Sequence, residues 1–409
     1  MFQSNLSRFV GRAFAALGLA VALASAVSAQ YQTVSQTSVV IASPGGNLVR
    51  TDTVVQDGPL AINRFTMHQL RREKSLIRGN VLLLPALGNN FNSYLSHETG
   101  NAAKSFGGQM ALAGFNVWGY SPRETGIATA DCGATLDCTP ILDWGMATIV
   151  RDATYIRSKI VAQNPNRKIA IGGLSLGAIS ALAVVNARPN DYDALLAWEG
   201  SIKTADPAIQ AHNQNFCAQY SGLVAAGVPV DNQSLPLVKL LANLSQTAPN
   251  DPFVVPIPGF PPGLTNRQAF LLVLTTPNPV APSPRPGFIS AAGDFLAGVL
   301  FHSDEARLAT NIATFNDVTS NRVVRDLYCS LSGAQTAFNG GLANFTRPVM
   351  IVKAGAGFGS IMDELPGFVG STAVNFTQMN DFGHVDHLGS PSRTILLDIP
   401  VILWLGHVL

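Results

Sequence analysis

The sequence predicts an α/β fold: a mostly parallel central sheet with helices on both faces. Three observations predict it. Short apolar runs in NVLLLPALGNN (80–90) and RKIAIGG (167–173) read as strands covered on both faces. These runs alternate with helical stretches, the clearest at 143–163. A proline-rich region interrupts the rhythm, which resumes at RPVMIVKAG (347–355) and TAVNFTQ (372–378).

The elements follow in order. From Tyr31 to about Arg78 the strand pattern is weak, with TSVVIAS (37–43) and NRFTMHQLR (63–71) as early strands. The run Val81–Leu84 is a buried strand that Pro85 ends, and Gly88 opens the turn after it. Residues 101–113 suit a helix, and FNVWGYS (115–121) another short strand. In DWGMATIVRDATYIRSKIVAQ (143–163), Met146, Ile149, Ala153, Ile156 and Ile160 fall on one helical stripe. Arg151, Asp152 and Arg157 lie largely off it. RKIAIGG is followed by a turn at Ser175, a helix to Ala187, and a strand in DYDALLAWEG (191–200). Residues 201–345 break the pattern. DPFVVPIPGFPPG (251–263) and TTPNPVAPSPRPGF (275–288) carry too much proline for central strands or long helices. Helical pieces such as 302–316 lie around them, and a last apolar helix spans about 394–406.

This organises the chain into four stretches: a secretory signal over 1–29, a first core part over 30–200, an inserted cap or lid over 201–345, and a second core part over 346–409. The signal rests on Arg8 and Arg12, an apolar run from about Phe14 to Ala24, and small residues at Val27-Ser28-Ala29. Its removal changes the formal charge from +1 to −1 and leaves no stable membrane span. Charged residues make up 12% of the chain and hydrophobic ones 47%, so a large core is available and disorder is disfavoured. No basic cluster exists to neutralise phosphates, which argues against a nucleic-acid partner. An exported chain, secreted or periplasmic, meets oxidising conditions. The four cysteines are then expected to pair, as Cys132–Cys138 and Cys217–Cys329. Their scattered spacing does not suit zinc.

Gly173-Leu174-Ser175-Leu176-Gly177 is a G-x-S-x-G pattern between a buried strand and a helix. That context turns the chain sharply and lifts the serine hydroxyl above the sheet. A nucleophilic serine needs a base, an acid to orient it, and donors for the oxyanion. The donors are expected to be the backbone amides of Leu87 and Leu176, with Asn89 or Asn90 orienting the first loop. The base is expected to be His384 in DFGHVDHLGS (381–390), with His387 as the alternative and Asp386 as a brace. For the acid, Asp363 after the strand 348–353 gives the order Ser, Asp, His. Glu199 at the end of the strand 193–198 is the alternative, with Glu364 and Asp381 behind.

With these residues assembled, the chain resembles the α/β-hydrolase superfamily, and locally its acid-lipase group. NVLLLPALGNN resembles that group's strand and oxyanion loop, with Pro85-Ala86 where a His-Gly pair would stand. FNVWGYSPRETG (115–126), ILDWGMATIVRDATYI (141–156), GLSLG and GHVDHL (383–388) resemble its other segments, the last supporting His384. The chain departs from the pattern in GAGFG (355–359), which lacks the expected acid. The resemblance and the site residues together imply hydrolytic acyl transfer by a serine on a small-molecule ester, with no metal or organic cofactor, and the apolar composition of the insertion favours an acyl or aromatic part. PFVVPIPGFPPG and AFLLVLTT (269–276) either line such a pocket or pack the insertion. Lipase, esterase and thioesterase are not separated at this stage, nor are amidase, peptidase or acyltransferase use of the same site, nor a binding protein with a dead site. The sequence leaves the oligomeric state open.

Overall fold

A computed structural model describes residues 30–409, apart from 98–99, 232–233, 256, 258–259, 277–278, 281–287 and 291–299. The secretory signal expected over 1–29 lies outside the described residues. The strands are β1 (Tyr31–Ile41), β2 (Leu48–Asp57), β3 (Arg64–Arg72), β4 (Asn80–Leu84), β5 (Asn116–Ser121), β6 (Ile169–Leu174), β7 (Ala194–Trp198), β8 (Val230–Asp231), β9 (Thr319–Ser320), β10 (Val349–Ala354) and β11 (Val374–Met379). Nine of them form one sheet in the order β1-β2-β3-β5-β4-β6-β7-β10-β11. The pairs from β5 to β11 are parallel, and β1, β2 and β3 add antiparallel at one edge. The two-residue strands β8 and β9 pair separately.

The central strands are buried on both faces because their residues alternate between two cores. Leu82, Leu84, Ile169, Ile171, Leu195 and Ala197 face one cluster, with the helices Met146–Gln163 and Leu176–Ala187. Val81, Leu83, Ala170, Leu174, Leu196 and Trp198 face the other, with the helices Phe106–Leu112 and Ile399–Val408. Each buried Val, Leu or Ile among them contributes roughly 1.5–3 kcal/mol, which explains why unbroken apolar runs mark these strands in the sequence.

Several local expectations shift. β2 lies between β1 and β3 and forms a long hairpin with β1; RTDTVVQD is largely polar and only partly buried, so a weak strand pattern is all that marks it. The helix expected at 101–113 is a short 3-10 turn followed by Phe106–Leu112, whose start Ser105 caps. The stripe of Met146–Gln163 is buried as expected, but Asp152 is buried with it. Arg123 binds both of its oxygens, and the Tyr31 and Tyr120 hydroxyls donate to it as well.

The inserted region holds the long helix Pro207–Ala225, which Asp206 caps with proline at its first position, and the helices Ser234–Thr247, Asn266–Leu274, Glu305–Ile312 and Asn321–Leu331. Phe270, Leu271 and Leu274 of AFLLVLTT lie in a third apolar cluster with Leu241, Leu308 and Ile312, so this stretch packs the insertion. Both expected disulfides form: Cys132–Cys138, and Cys217–Cys329 joining two of these helices. Among the described residues no helix is long and apolar enough to cross a membrane.

Candidate functional site

At the end of β6 the backbone bends into the helix Leu176–Ala187 through Ser175, at φ 58° and ψ −122°. A left-handed non-glycine residue is strained, and the strain holds the side chain at the apex of the bend. The glycines on either side are required by close approach: a Cβ on Gly173 or Gly177 would collide with the Leu84 carbonyl. Tyr94 secures the bend from below. Its buried hydroxyl donates to the Leu84 carbonyl (2.7 Å) and accepts from the Leu174 amide (2.8 Å), tying β4 to β6. No motif in the sequence marks Tyr94.

The neighbouring strand β7 ends in a second left-handed residue, Glu199, at φ 50°. The two bends are adjacent, since Leu174 pairs with Trp198 and the Ser175 amide donates to the Trp198 carbonyl at 2.9 Å. Glu199 is fully buried. Its carboxylate accepts from the amides of Ala354 (2.5 Å) and Phe358 (2.9 Å) and contacts His384 Nδ1 at 3.1 Å. The loop GAGFG, which lacks an acid, thus wraps the acid of the next strand. A Cβ on Gly357 would run into the Glu199 carboxylate. An ionised carboxylate only accepts; opposite it, His384 Nδ1 is the donor and the imidazole lone pair lies on Nε2.

The His384 ring packs against two phenylalanines that also touch each other, stacked on Phe288 at 4.7 Å between centroids and tilted against Phe358 at 5.3 Å. Among the described residues, the Ser175 hydroxyl makes no hydrogen bond to His384 or to any other group.

The other expected residues stand elsewhere. Asp363 is half-exposed on a short helix, where it pairs with Lys353 Nζ at 2.5 Å. Glu364 accepts from the Ala205 amide, and Asp381 is exposed. His387 is buried, and its Nδ1 takes the Trp198 indole N–H at 3.2 Å. Burial, and secondarily the nearby His384, pushes its pKa down to about 3, so it is neutral at ordinary pH. Asp386 holds the histidine loop through Gly383, as a brace.

Beyond β4, the Asn89 amide closes a turn onto the Ala86 carbonyl, and Gly88 adopts φ +71°. The loop is fastened to the insertion: the Gly88 carbonyl accepts from the Asn316 amide (2.6 Å), and Asn90 Nδ2 donates to the Thr314 carbonyl (2.8 Å). Among the described residues, neither the Leu87 nor the Leu176 amide is engaged by another protein group. A narrow cavity of about 30 Å³ lies beside them, lined by Leu87, Leu176, Ile149, Val318, Val323 and Glu124 among others.

No protein-family model and no curated protein matches the chain. Among solved structures, it is similar to a candidate lipase from Sulfolobus solfataricus, with TM-score 0.63 and 17% identity over 91% of this chain and 99% of that one. Similarity to an esterase from Thermogutta terrifontis is weaker, with TM-score 0.46 and 11% identity over 91% of this chain and 99% of that one. A monoacylglycerol lipase from Paleococcus ferrophilus gives TM-score 0.42 and 14% identity over 82% of this chain and 96% of that one. With this strand order, a serine held left-handed at the end of the central strand, and the likeness to the Sulfolobus protein, the chain has the α/β-hydrolase fold.

Proposed function

We propose that the protein hydrolyses carboxylic esters through an acyl-enzyme on Ser175. The observation that carries this reading is the His384–Glu199 pair, held at 3.1 Å beside the strained serine bend. In the first half-reaction the Ser175 oxygen attacks the ester carbonyl and gives its proton to His384 Nε2. Glu199 holds the tautomer and stabilises the imidazolium. The Leu87 and Leu176 amides receive the oxyanion. His384 then protonates the leaving alcohol, and in the second half it activates water, which releases the acid and restores the serine. The serine–histidine hydrogen bond is expected to tighten only once substrate is bound. Glu199 follows Ser175 and precedes His384, which keeps the order of nucleophile, acid and base common to this fold.

The insertion over residues 201–345 serves as the cap. The aliphatic walls beside the two amides favour an ester with an apolar acyl or aromatic part. The two disulfides favour an oxidising setting, secreted or periplasmic.

Treatment with a p-nitrophenyl phosphonate, followed by peptide mass mapping, tests the reading. Labelling of Ser175, together with loss of p-nitrophenyl butyrate hydrolysis in Ser175→Ala, is expected. An unlabelled, inactive wild type, or a Ser175→Ala variant at wild-type rate, overturns it.

A further inference from the structure

We propose that Asp386 is a positioning residue for His384, joining the histidine loop to the inserted region so that the imidazole keeps its place against Glu199. The inference rests on the reading of His384 as the base. Asp386 is fully buried. One of its carboxylate oxygens accepts from the amide of Gly383, the residue before His384, at 2.6 Å. The other accepts from two hydroxyls of the inserted region, Ser290 and Ser303, each at 2.5 Å. A buried carboxylate is costly unless several donors meet it, and here the donors come from three separate stretches of chain.

The geometry links this hub to the imidazole on both sides. Ser290 lies two residues from Phe288, whose ring stacks on His384 and whose carbonyl takes the His384 amide proton at 2.5 Å. The Val385 amide donates to the Ile289 carbonyl at 2.9 Å. On the far side, the Asp304 amide donates to the Gly389 carbonyl at 3.1 Å, and Arg307 reaches the Ser390 carbonyl at 3.0 Å. The loop 383–390 is therefore gripped between residues 288–290 and 303–307, and the Asp386 side chain is bound to both. Glu199 fixes the imidazole at a single atom and does not fix the tilt of the ring about that bond. The stacked Phe288 ring does, and Asp386 holds the segment that carries it.

The test compares wild type with Asp386→Asn, with a Ser290→Ala/Ser303→Ala double variant, and with the triple combination. Three readings are taken: kcat and KM on p-nitrophenyl butyrate, the thermal midpoint, and the downfield proton NMR signal of His384 Nδ1–H bound to Glu199. Asp386→Asn is expected to lower kcat by about tenfold to a hundredfold, the range for a catalytic group displaced by about 1 Å. KM should stay within about twofold, and the downfield signal should broaden or vanish. The serine double variant should show part of this loss, and the triple should be no worse than Asp386→Asn alone, because all act through one hub. A folded Asp386→Asn with wild-type kcat and an unchanged signal overturns the inference, even with a lowered thermal midpoint, since that marks a role in stability only. Should Asp386→Asn fail to fold, the serine double variant decides by the same two readings. Should the wild type neither hydrolyse ester nor take the phosphonate, the hydrolase reading falls, and the NMR signal alone decides this one. Present in wild type and lost in the variants, it supports the inference; unchanged, or absent throughout, it overturns it.

Discussion

Replacing Glu199 by Gln removes the charge without changing the shape of the side chain. The carboxylate now meets three donors: the Ala354 amide, the Phe358 amide and His384 Nδ1. A glutamine offers one oxygen and one NH2, so at least one donor must face an NH2. If that donor is the imidazole, the ring flips tautomer, Nε2 carries the proton, and it no longer takes one from Ser175; the fall in kcat is then on the order of 10⁴. If it is a main-chain amide, a buried donor is left unpaired at about 1–3 kcal/mol of stability. Both outcomes predict a folded, less stable protein: kcat on p-nitrophenyl butyrate falls by about 10⁴ where the tautomer flips, and by roughly 10- to 150-fold where only the charge beside the imidazolium is lost, at about 1.5–3 kcal/mol. Asp363→Asn is the contrast. Its side chain is half-exposed and pairs with Lys353, so kcat should stay within about twofold and stability within about 1 kcal/mol. Kinetics of the two purified variants, normalised by phosphonate titration, check this. A folded Glu199→Gln enzyme within tenfold of wild type refutes the assignment, the more so if Asp363→Asn has lost the activity.

Tyr94→Phe leaves the buried Leu174 amide without its acceptor and should cost about 1–3 kcal/mol in urea unfolding, with a fall in kcat from the loosened bend. His387 binds no proton in the fold until about pH 3, whereas the unfolded chain binds one below about 6.5, so stability is lost as pH falls from 6.5 towards 3. His387→Gln keeps an acceptor for the Trp198 indole and removes this dependence. Between pH 7 and pH 5 the wild type should lose about 2 kcal/mol more than the variant in urea titrations, and equal losses would exclude the mechanism. The Cys217–Cys329 bridge closes a loop of 112 residues and the Cys132–Cys138 bridge one of 6, so Cys→Ser pairs should cost about 5 and 2 kcal/mol respectively by loop entropy.

The parallel core was legible because strands buried on both faces leave unbroken apolar runs, and Ser175 because its bend needs small neighbours between such a strand and a helix. The proposed base, His384, was legible from its place after the last strand. The proposed acid, Glu199, was less so than Asp363, because the reading depends on what surrounds each carboxylate. Asp363 and Glu199 both follow strands, but only Glu199 sits on a left-handed bend next to the serine, within reach of amides from GAGFG. The missing acid in GAGFG and the glycine after Glu199 were the available signals, and both read correctly only once the two strands are known to be neighbours. Tyr94 and Phe288 left no trace, since a bridging hydroxyl or a stacked ring imposes no spacing on its own stretch of chain. Asp152 lies largely off the apolar stripe of its helix, and its burial is not legible there because its partner, Arg123, comes from a different loop.

Under the proposed mechanism, the Asn316 amide that meets the Gly88 carbonyl ties the insertion to the loop whose amide receives the oxyanion. Grafting a foreign cap onto this core, a common route to new substrate preference, would then trade away rate along with selectivity unless the graft brings its own donor to that carbonyl. Natural drift in the region faces the same constraint: residues 288–290, 303–307 and 314–316 are tied to the site's loops, and the latitude to follow the substrate lies outside them.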